Sequence, residues 1–194
     1  MNDTNFLRVG VGGQGTILAS NVLADVGLAV GLDVKKSEVH GMAQRGGSVT
    51  SHIRWGGPVR SPIIGAGEVD ELLAFEELEA LRYAELLRPG GLALVSDHRI
   101  PPVAVSMGDD AYPEDERVRQ VLGAVTADLH FVPTVAVARE LGNARAHNVV
   151  MLGALAQRLP VPTETWREVI ARWVPERHRE LNLRAFERGL ALPL

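Results

Sequence analysis

The sequence predicts an α/β fold: a mostly parallel sheet flanked by helices, with a helical C-terminal segment. Three observations carry this. The apolar run FLRVGV enters four glycines within six residues and then gives way to helical spacing. A second strand-like run, DVKKSEV, follows that helix and makes the opening a β-α-β unit. From about residue 135 to 190 the pattern is mostly helical, with breaks at Gly142, Pro160 and Pro175.

Taken in order, Phe6–Val11 reads as a buried strand ending in the glycine turn. From Gln14 to about Ala29, Ile17, Leu18, Val22, Leu23 and Val26 recur at helical spacing. Gly31 suits the end of that helix, because glycine accepts the left-handed conformation often found there. After the polar loop HGMAQRGGSV, the stretch SVTSHIRW alternates strictly. Val49, Ser51, Ile53 and Trp55 fall on one face and Ser48, Thr50, His52 and Arg54 on the other, a strand with unlike faces. VDELLAF predicts a short fourth strand leading into a helix over 76–87. RPGGLALVS predicts a turn and a buried strand, and IPPVAVSM a weaker strand. Residues 114–127 read as a helix and DLHFVP as a strand. The opening turn makes the whole Rossmann-like. Residues 1–194 are expected to form a single domain, with about 160–194 as a helical C-terminal extension.

A chain of this length buries roughly 70% of its unfolded surface, so it needs no disulfide staple. It has no cysteine, which excludes a thiolate nucleophile and a cysteine-held iron–sulfur cluster. A net charge of −4 with interspersed signs and 5% aromatics give no nucleic-acid footprint. No leader segment is recognised and no apolar run is long enough to span a bilayer, so no membrane association and a cytoplasmic location are expected.

Gly10, Gly12 and Gly15 satisfy G-x-G-x-x-G, with Gly13 as an extra glycine. Such a turn brings backbone N–H groups close to an anion at the positive end of the helix that starts there. It serves equally to pack a helix closely on a strand. A dinucleotide site also wants an acid at the end of the second strand. Asp33 stands at the wrong end; Glu38 stands at the right one but runs into the unusual loop. Gln14, at the helix start, either orients a ligand or satisfies nearby unpaired N–H groups.

The second loop packs Ser37, Glu38, His40, Gln44, Arg45 and Ser48 around Gly41, Gly46 and Gly47. It leaves the sheet from the same edge as the first, so the two loops are expected to be neighbours, with Arg45 offering a forked cation. His40 more commonly holds a carbonyl than carries a proton, and Met42 is a packing or partner-contact residue. The remaining histidines, His52, His98, His130, His147 and His178, show no metal-ligand spacing, and G-x-S-x-G is absent.

Together, GVGGQGTILAS, KKSEVHGMAQRGGSVTSHIRWG and SPIIGAGEVDELLAFEELEALR resemble the gamma-type domain of 2-oxoacid:ferredoxin oxidoreductases. SEVHGMAQRGGSV resembles most the small-subunit form that acts with indolepyruvate. The resemblance covers about residues 6–157. It implies a non-catalytic subunit supporting oxidative decarboxylation of a 2-oxoacid, probed first with indolepyruvate or another aryl pyruvate. The acyl group passes to coenzyme A and two electrons pass to ferredoxin. It further implies no tightly bound cofactor and no metal on this chain. Thiamine diphosphate and iron–sulfur clusters reside on a large partner subunit, through which ferredoxin is reached.

Gly10, Gly12, Gly13, Gln14, Gly15 and Thr16, with Ser37, Glu38, His40, Gly41, Met42, Gln44, Arg45, Gly46, Gly47 and Ser48, become candidates for a coenzyme A pocket or an intersubunit surface. Gly142, Asn143, Arg145 and Asn148 are either a further contact patch or helix caps. The other readings of the residues are an NAD(P)-binding oxidoreductase and a free-standing ligand-binding or regulatory module.

Overall fold

The computed structural model describes residues 3–41 and 46–194. Strand β1 (Thr4–Val11) runs into the glycine turn, and helix α1 (Thr16–Ala29) returns across the sheet to β2 (Asp33–His40). Strand β3 (Ser48–Gly56) lies between β1 and β2 and is antiparallel to both. Strands β4 (Val69–Ala74), β5 (Leu87–Ser96) and β6 (Leu129–Val132) add in parallel on the other side of β1. The six-stranded order is β2-β3-β1-β4-β5-β6. The chain therefore departs from β1 in one direction and later builds outward in the other. The reversal falls between β1 and β4, the place where open α/β sheets leave a crevice beyond their carboxyl ends.

The sheet is thus parallel in three of its five pairings. β1 and β2 do run the same way, but β3 fills the gap between them, because a seven-residue loop is enough to reverse the chain into a hairpin and too short for a crossover.

The helices are α2 (Glu77–Arg82), α3 (Val103–Met107), α4 (Asp115–Val125), α5 (Thr134–Glu140), α6 (His147–Ala156), α7 (Thr163–Trp173) and α8 (Glu176–Leu190). One sheet face, with Phe6, Ile53, Trp55, Leu73 and Phe75, packs against α1 and α6, on which α7 and α8 lie in turn. The other, with Leu7, Val9, Leu72 and Val95, packs on α2 and α4 through Ala80, Val118 and Leu122. Each large apolar side chain buried this way contributes about 1.5–3 kcal/mol. Helices α6 and α8 touch along their backbones: a Cβ at Gly153 would lie 2.1 Å from the Phe186 carbonyl oxygen, and one at Gly189 2.0 Å from that of Val150. The C-terminal helices therefore cover the core.

Three local expectations change. The weak strand expected at IPPVAVSM is instead an exposed helical turn over Val103–Met107, with Val103 and Met107 both largely in solvent. Two successive prolines without N–H groups cannot join a ladder, and the segment lies beyond the sheet edge. The helix expected over 76–87 is shorter: Glu76 caps α2, a 3-10 turn occupies Ala84–Leu86, and β5 begins at Leu87. In β3, Thr50 and His52 are buried despite their polarity, with the 57–68 loop lying over the even-numbered face. There His52 Nδ1 accepts from Ile64 N–H at 3.2 Å, and Arg54 Nη1 donates to the Ser61 and Ile63 carbonyls.

Candidate functional site

The glycine turn is held by its own glutamine. Val11 N–H donates to Gln14 Oε1 at 2.8 Å, which fixes the orientation of the amide. Gln14 Nε2 then donates to the Phe75 carbonyl at 2.8 Å and to His98 Nδ1 at 3.1 Å. Gln14 therefore ties the ends of β1, β4 and β5 together, the second of the two roles its position allowed. Gly10 cannot carry a side chain there, since its Cβ would sit 2.9 Å from Gln14 Oε1. Gly13 and Gly15 take φ values of 104° and 69°, which favour glycine.

Helix α6 clamps the turn from the other side. His147 Nε2 donates to the Gln14 carbonyl at 3.1 Å and Asn148 Nδ2 to the Gly15 carbonyl at 2.9 Å. Asn148 thus belongs to the turn, whereas Asn143 caps a 3-10 turn through its bond to Arg145 N–H, and Gly142 ends α5 with a positive φ. With the carbonyls engaged behind it, the start of α1 has no side-chain cap and no acid in its first turn. That end is electropositive.

The second loop meets the first edge to edge. Gly12 N–H donates to the Gly47 carbonyl at 2.8 Å, and Gly46 N–H to the Gly12 carbonyl at 3.2 Å, as the shared sheet edge predicts. Ser48 Oγ bonds the buried Glu79 and lies 3.1 Å from Tyr83 Oη. Met42, Gln44 and Arg45 lie outside the described residues.

Two cavities flank Gly12 and Gly13. The first, about 570 Å³, lies between the α1 start and β2, lined by Thr16, Ile17, Leu18, Glu38, His40 and Val49 beside the glycines. Ser37 is on the opposite face of β2 and does not reach it, and neither Gly10 nor Gly41 lines it. His40 is exposed, with Nδ1 3.3 Å from the Gly41 carbonyl, the holding role expected for it. The Glu38 carboxylate accepts from Ser20 Oγ at 3.0 Å and Lys36 Nζ at 2.9 Å. Burial works to raise its pKa, but these bonds, Lys36 and Arg8 bring it below the ordinary carboxylate value.

Arg8 stands in a cross-strand row with Ser51 and Glu38 and is 1% exposed. Its Nη2 donates to Ser51 Oγ, and Nε and Nη1 have no partner among the described residues. Burial lowers its pKa to about 10, with Glu38 opposing, so it stays charged at neutral pH.

The second cavity, about 530 Å³, lies where the sheet order reverses, lined by Gln14, Gly46, His98, Ile100, Arg145 and His147 beside the same glycines. Ile100, on its wall, is held behind by Glu76, whose carboxylate accepts from Ile100 N–H at 3.1 Å and from Tyr112 Oη. His98 and His147 meet edge to face, ring centroids 5.8 Å apart. Desolvation lowers both pKa values, that of His147 to about 4, so both rings are neutral at pH 7. In a third, smaller recess, Arg99 is already paired with both Glu77 and Asp115. No cluster of three or more metal-ligating side chains occurs among the described residues.

Sequence reasoning missed Arg8, His98 and His147. An arginine inside the apolar run FLRVGV was a usable signal for the first. Nothing local marks the two histidines, which lie 84 and 133 residues from Gln14.

Residues 5–192 match the pyruvate ferredoxin/flavodoxin oxidoreductase family, and the chain belongs to it. The chain is 40% identical over 193 residues to the indolepyruvate oxidoreductase subunit IorB of Thermococcus kodakarensis, covering 98% of this chain and 96% of that one. Its fold is that of the keto/oxoacid ferredoxin oxidoreductase gamma subunit of Geobacter sulfurreducens (TM-score 0.72, 24% identity, covering 97% of this chain and 95% of that chain). It is also that of part of a 2-oxoglutarate:ferredoxin oxidoreductase from Magnetococcus marinus, solved with 2-oxoglutarate, coenzyme A and succinyl-CoA bound. That match has a TM-score of 0.74 at 21% identity and covers 98% of this chain and 31% of the other. The chain is a member of an oxidoreductase family whose relatives are named as subunits. Among its described residues no helix is long and apolar enough to cross a membrane.

Proposed function

We propose that this chain is the small subunit of an indolepyruvate-type 2-oxoacid:ferredoxin oxidoreductase, acting as one domain in the cytoplasm beside a large subunit that carries thiamine diphosphate and iron–sulfur clusters. Electrons leave through that partner to ferredoxin. The role of this chain is positional: it presents coenzyme A, the thiol that accepts the acyl group, to the partner's active site.

The observation that carries this is the junction of the two glycine loops at Gly12, Gly46 and Gly47, with an uncapped helix start beside it. The residues fit a phosphate-bearing ligand. A Cβ at Gly13 would meet nothing within 4 Å, so the turn presents open backbone. In the first cavity Glu38 stands where a ribose hydroxyl finds an acceptor, over a floor of Ile17, Leu18 and Val49. Gly12, Gly13, Gly15 and Thr16 would hold the phosphates, and Glu38 and His40 the nucleoside. Ser37 and Gly41, which do not line that cavity, fall to the intersubunit surface. An NAD(P) reading has only G-x-G-x-x-G and the same acid in its favour.

The test is co-expression with the large-subunit candidate, followed by coenzyme A-dependent reduction of a viologen dye with indolepyruvate. Activity only when both chains are present is expected. Copurification without coenzyme A dependence, or tight NADH binding by this chain alone, would overturn the assignment.

A further inference from the structure

Strand β2 ends the sheet and pairs with β3 alone among the described residues. Its register is unbroken over Asp33–His40, with no proline and no bulge. Such an edge offers a row of free backbone N–H and C=O groups, which soluble chains usually blunt. Apolar side chains gather beside it. Val39 on the strand is about half exposed, and so are Ile17 and Leu28 of α1. Ile17, Asn21 and Leu28 share one stripe of that helix, and Asn21 accepts from Lys36 of β2, so the stripe lies toward the edge.

The charges on β2 are self-complementary in one register. Two antiparallel copies of an edge strand are related by a two-fold axis normal to the sheet, which keeps α1 of both copies on one face. Opposed residues must then share a face, so the axis passes through a residue and not between two. Lys36 and Glu38 lie on the α1 face, where Asn21 and Ser20 hold them, and Ser37 lies on the other. With the axis at Lys35, Lys36 or Glu38, a charge meets its own copy, which is destabilising. With the axis at Ser37, Lys36 faces Glu38 of the second copy twice, Val34 faces His40, and the Lys35 stem covers Val39. Lys36 Nζ and Ser20 Oγ both bond Glu38 Oε1, at 2.9 and 3.0 Å, which leaves Oε2 for Lys36 of the second copy.

We propose that two copies of this chain join by pairing β2 with β2 antiparallel about Ser37, giving one continuous sheet. Glu38 and His40 line the first cavity, so Lys36 and Val34 of the second copy extend its wall, and the two cavities flank one axis. The pairing does not depend on what the glycine turn binds.

The full chain should approach twice the mass of one copy in sedimentation equilibrium as its concentration rises. It has no cysteine, so one introduced by Ser37→Cys is unique. On the axis the two Cα atoms would stand about 4.5–5.5 Å apart, within disulfide reach. Lys35→Cys lies on the same face, but its two copies would be offset by about 13 Å along the strands. Under mild oxidation Ser37→Cys should form a covalent dimer about tenfold faster than Lys35→Cys. Lys36→Glu puts four acids round the axis and should weaken the dimer about tenfold, and adding Glu38→Lys restores the alternation and should recover it. A monomer at every concentration, or equal cross-linking of the two cysteine variants, overturns the proposal, and both readings hold even if the charge variants fail to fold. Loss of the Ser37→Cys cross-link on co-expression with the large subunit would give the edge to that partner and overturn self-pairing in the enzyme.

Discussion

The two cavities that meet at Gly12 and Gly13 are of similar size and differ in everything else. The Glu38 side is assembled from residues 12–49, carries a charged acid already paired, and has an apolar floor. The histidine side gathers residues 11–147, and its titratable rings are neutral, with His147 Nδ1 lacking a partner among the described residues. The first is a property of a local motif, the second of the topology that folds β5 and α6 back onto it. One turn can thus present two chemistries, and each can be perturbed without the other.

The perturbation that should damage both is Gln14→Ala. It removes the acceptor for Val11 N–H, the donor to the Phe75 carbonyl and the lock on His98. At about 1 kcal/mol per bond and more for buried groups left unpaired, we expect a loss of roughly 4 kcal/mol in chemical denaturation. A loss under about 1 kcal/mol would mean the turn is held elsewhere and the cavities have no common hinge.

Between pH 6.5 and the carboxylate range it is the histidine side that should respond to acid. Burial, with the neighbouring His98 adding to it against the bond to Gln14, takes the His147 pKa down to about 4 from 6.5. The unfolded chain takes up this proton first, so the contribution of His147 is complete above pH 6.5 and is lost as pH falls toward 4. The full effect is on the order of 3 kcal/mol. His147→Gln should flatten that part of the stability profile; an unchanged slope between pH 6.5 and 4 would assign it to other groups.

The Glu38 side should respond to charge removal. Glu38→Gln weakens the bonds from Lys36 and Ser20 and strips buried Arg8 of its nearby carboxylate, for a loss of about 2 kcal/mol at pH 7. The His98 and His147 resonances should not move. If they do, the two sides are coupled through the turn.

The same contrast explains what was legible in the sequence. Strand β1, the turn, helix α1 and β2 follow from glycine chemistry and periodicity, which act over a few residues, and the meeting of the two loops follows from the shared sheet edge. The antiparallel place of β3 was not legible, because strict alternation is compatible with either direction. The polar face of β3 misled for a related reason: alternation reports polarity, while burial came from a loop ten residues downstream. Val103–Met107 was misread because a short apolar run between strands does not say whether anything covers it. His98 and His147 carry no local mark at all. Their meaning comes from Gln14, whose amide orientation is fixed by a backbone N–H.

The smallest expected effect separates backbone strain from occupancy. Gly13 has φ 104° and Gly31 has φ 82°, and a Cβ at either would meet nothing within 4 Å. Alanine at each should therefore cost only the strain of a positive φ, about 1–2 kcal/mol. Gly31 closes α1 at the far end from the cavities, whereas Gly13 lies on the wall common to both. If a ligand crosses the turn, Gly13→Ala puts a methyl group in its path and raises the KM for coenzyme A in the assembled enzyme, with little change in kcat at saturation. Gly31→Ala, carrying comparable strain, should leave that KM unchanged. Equal effects from the two variants would reduce the wall between the cavities to a structural partition, and the comparison would then be between two separate sites rather than two ends of one.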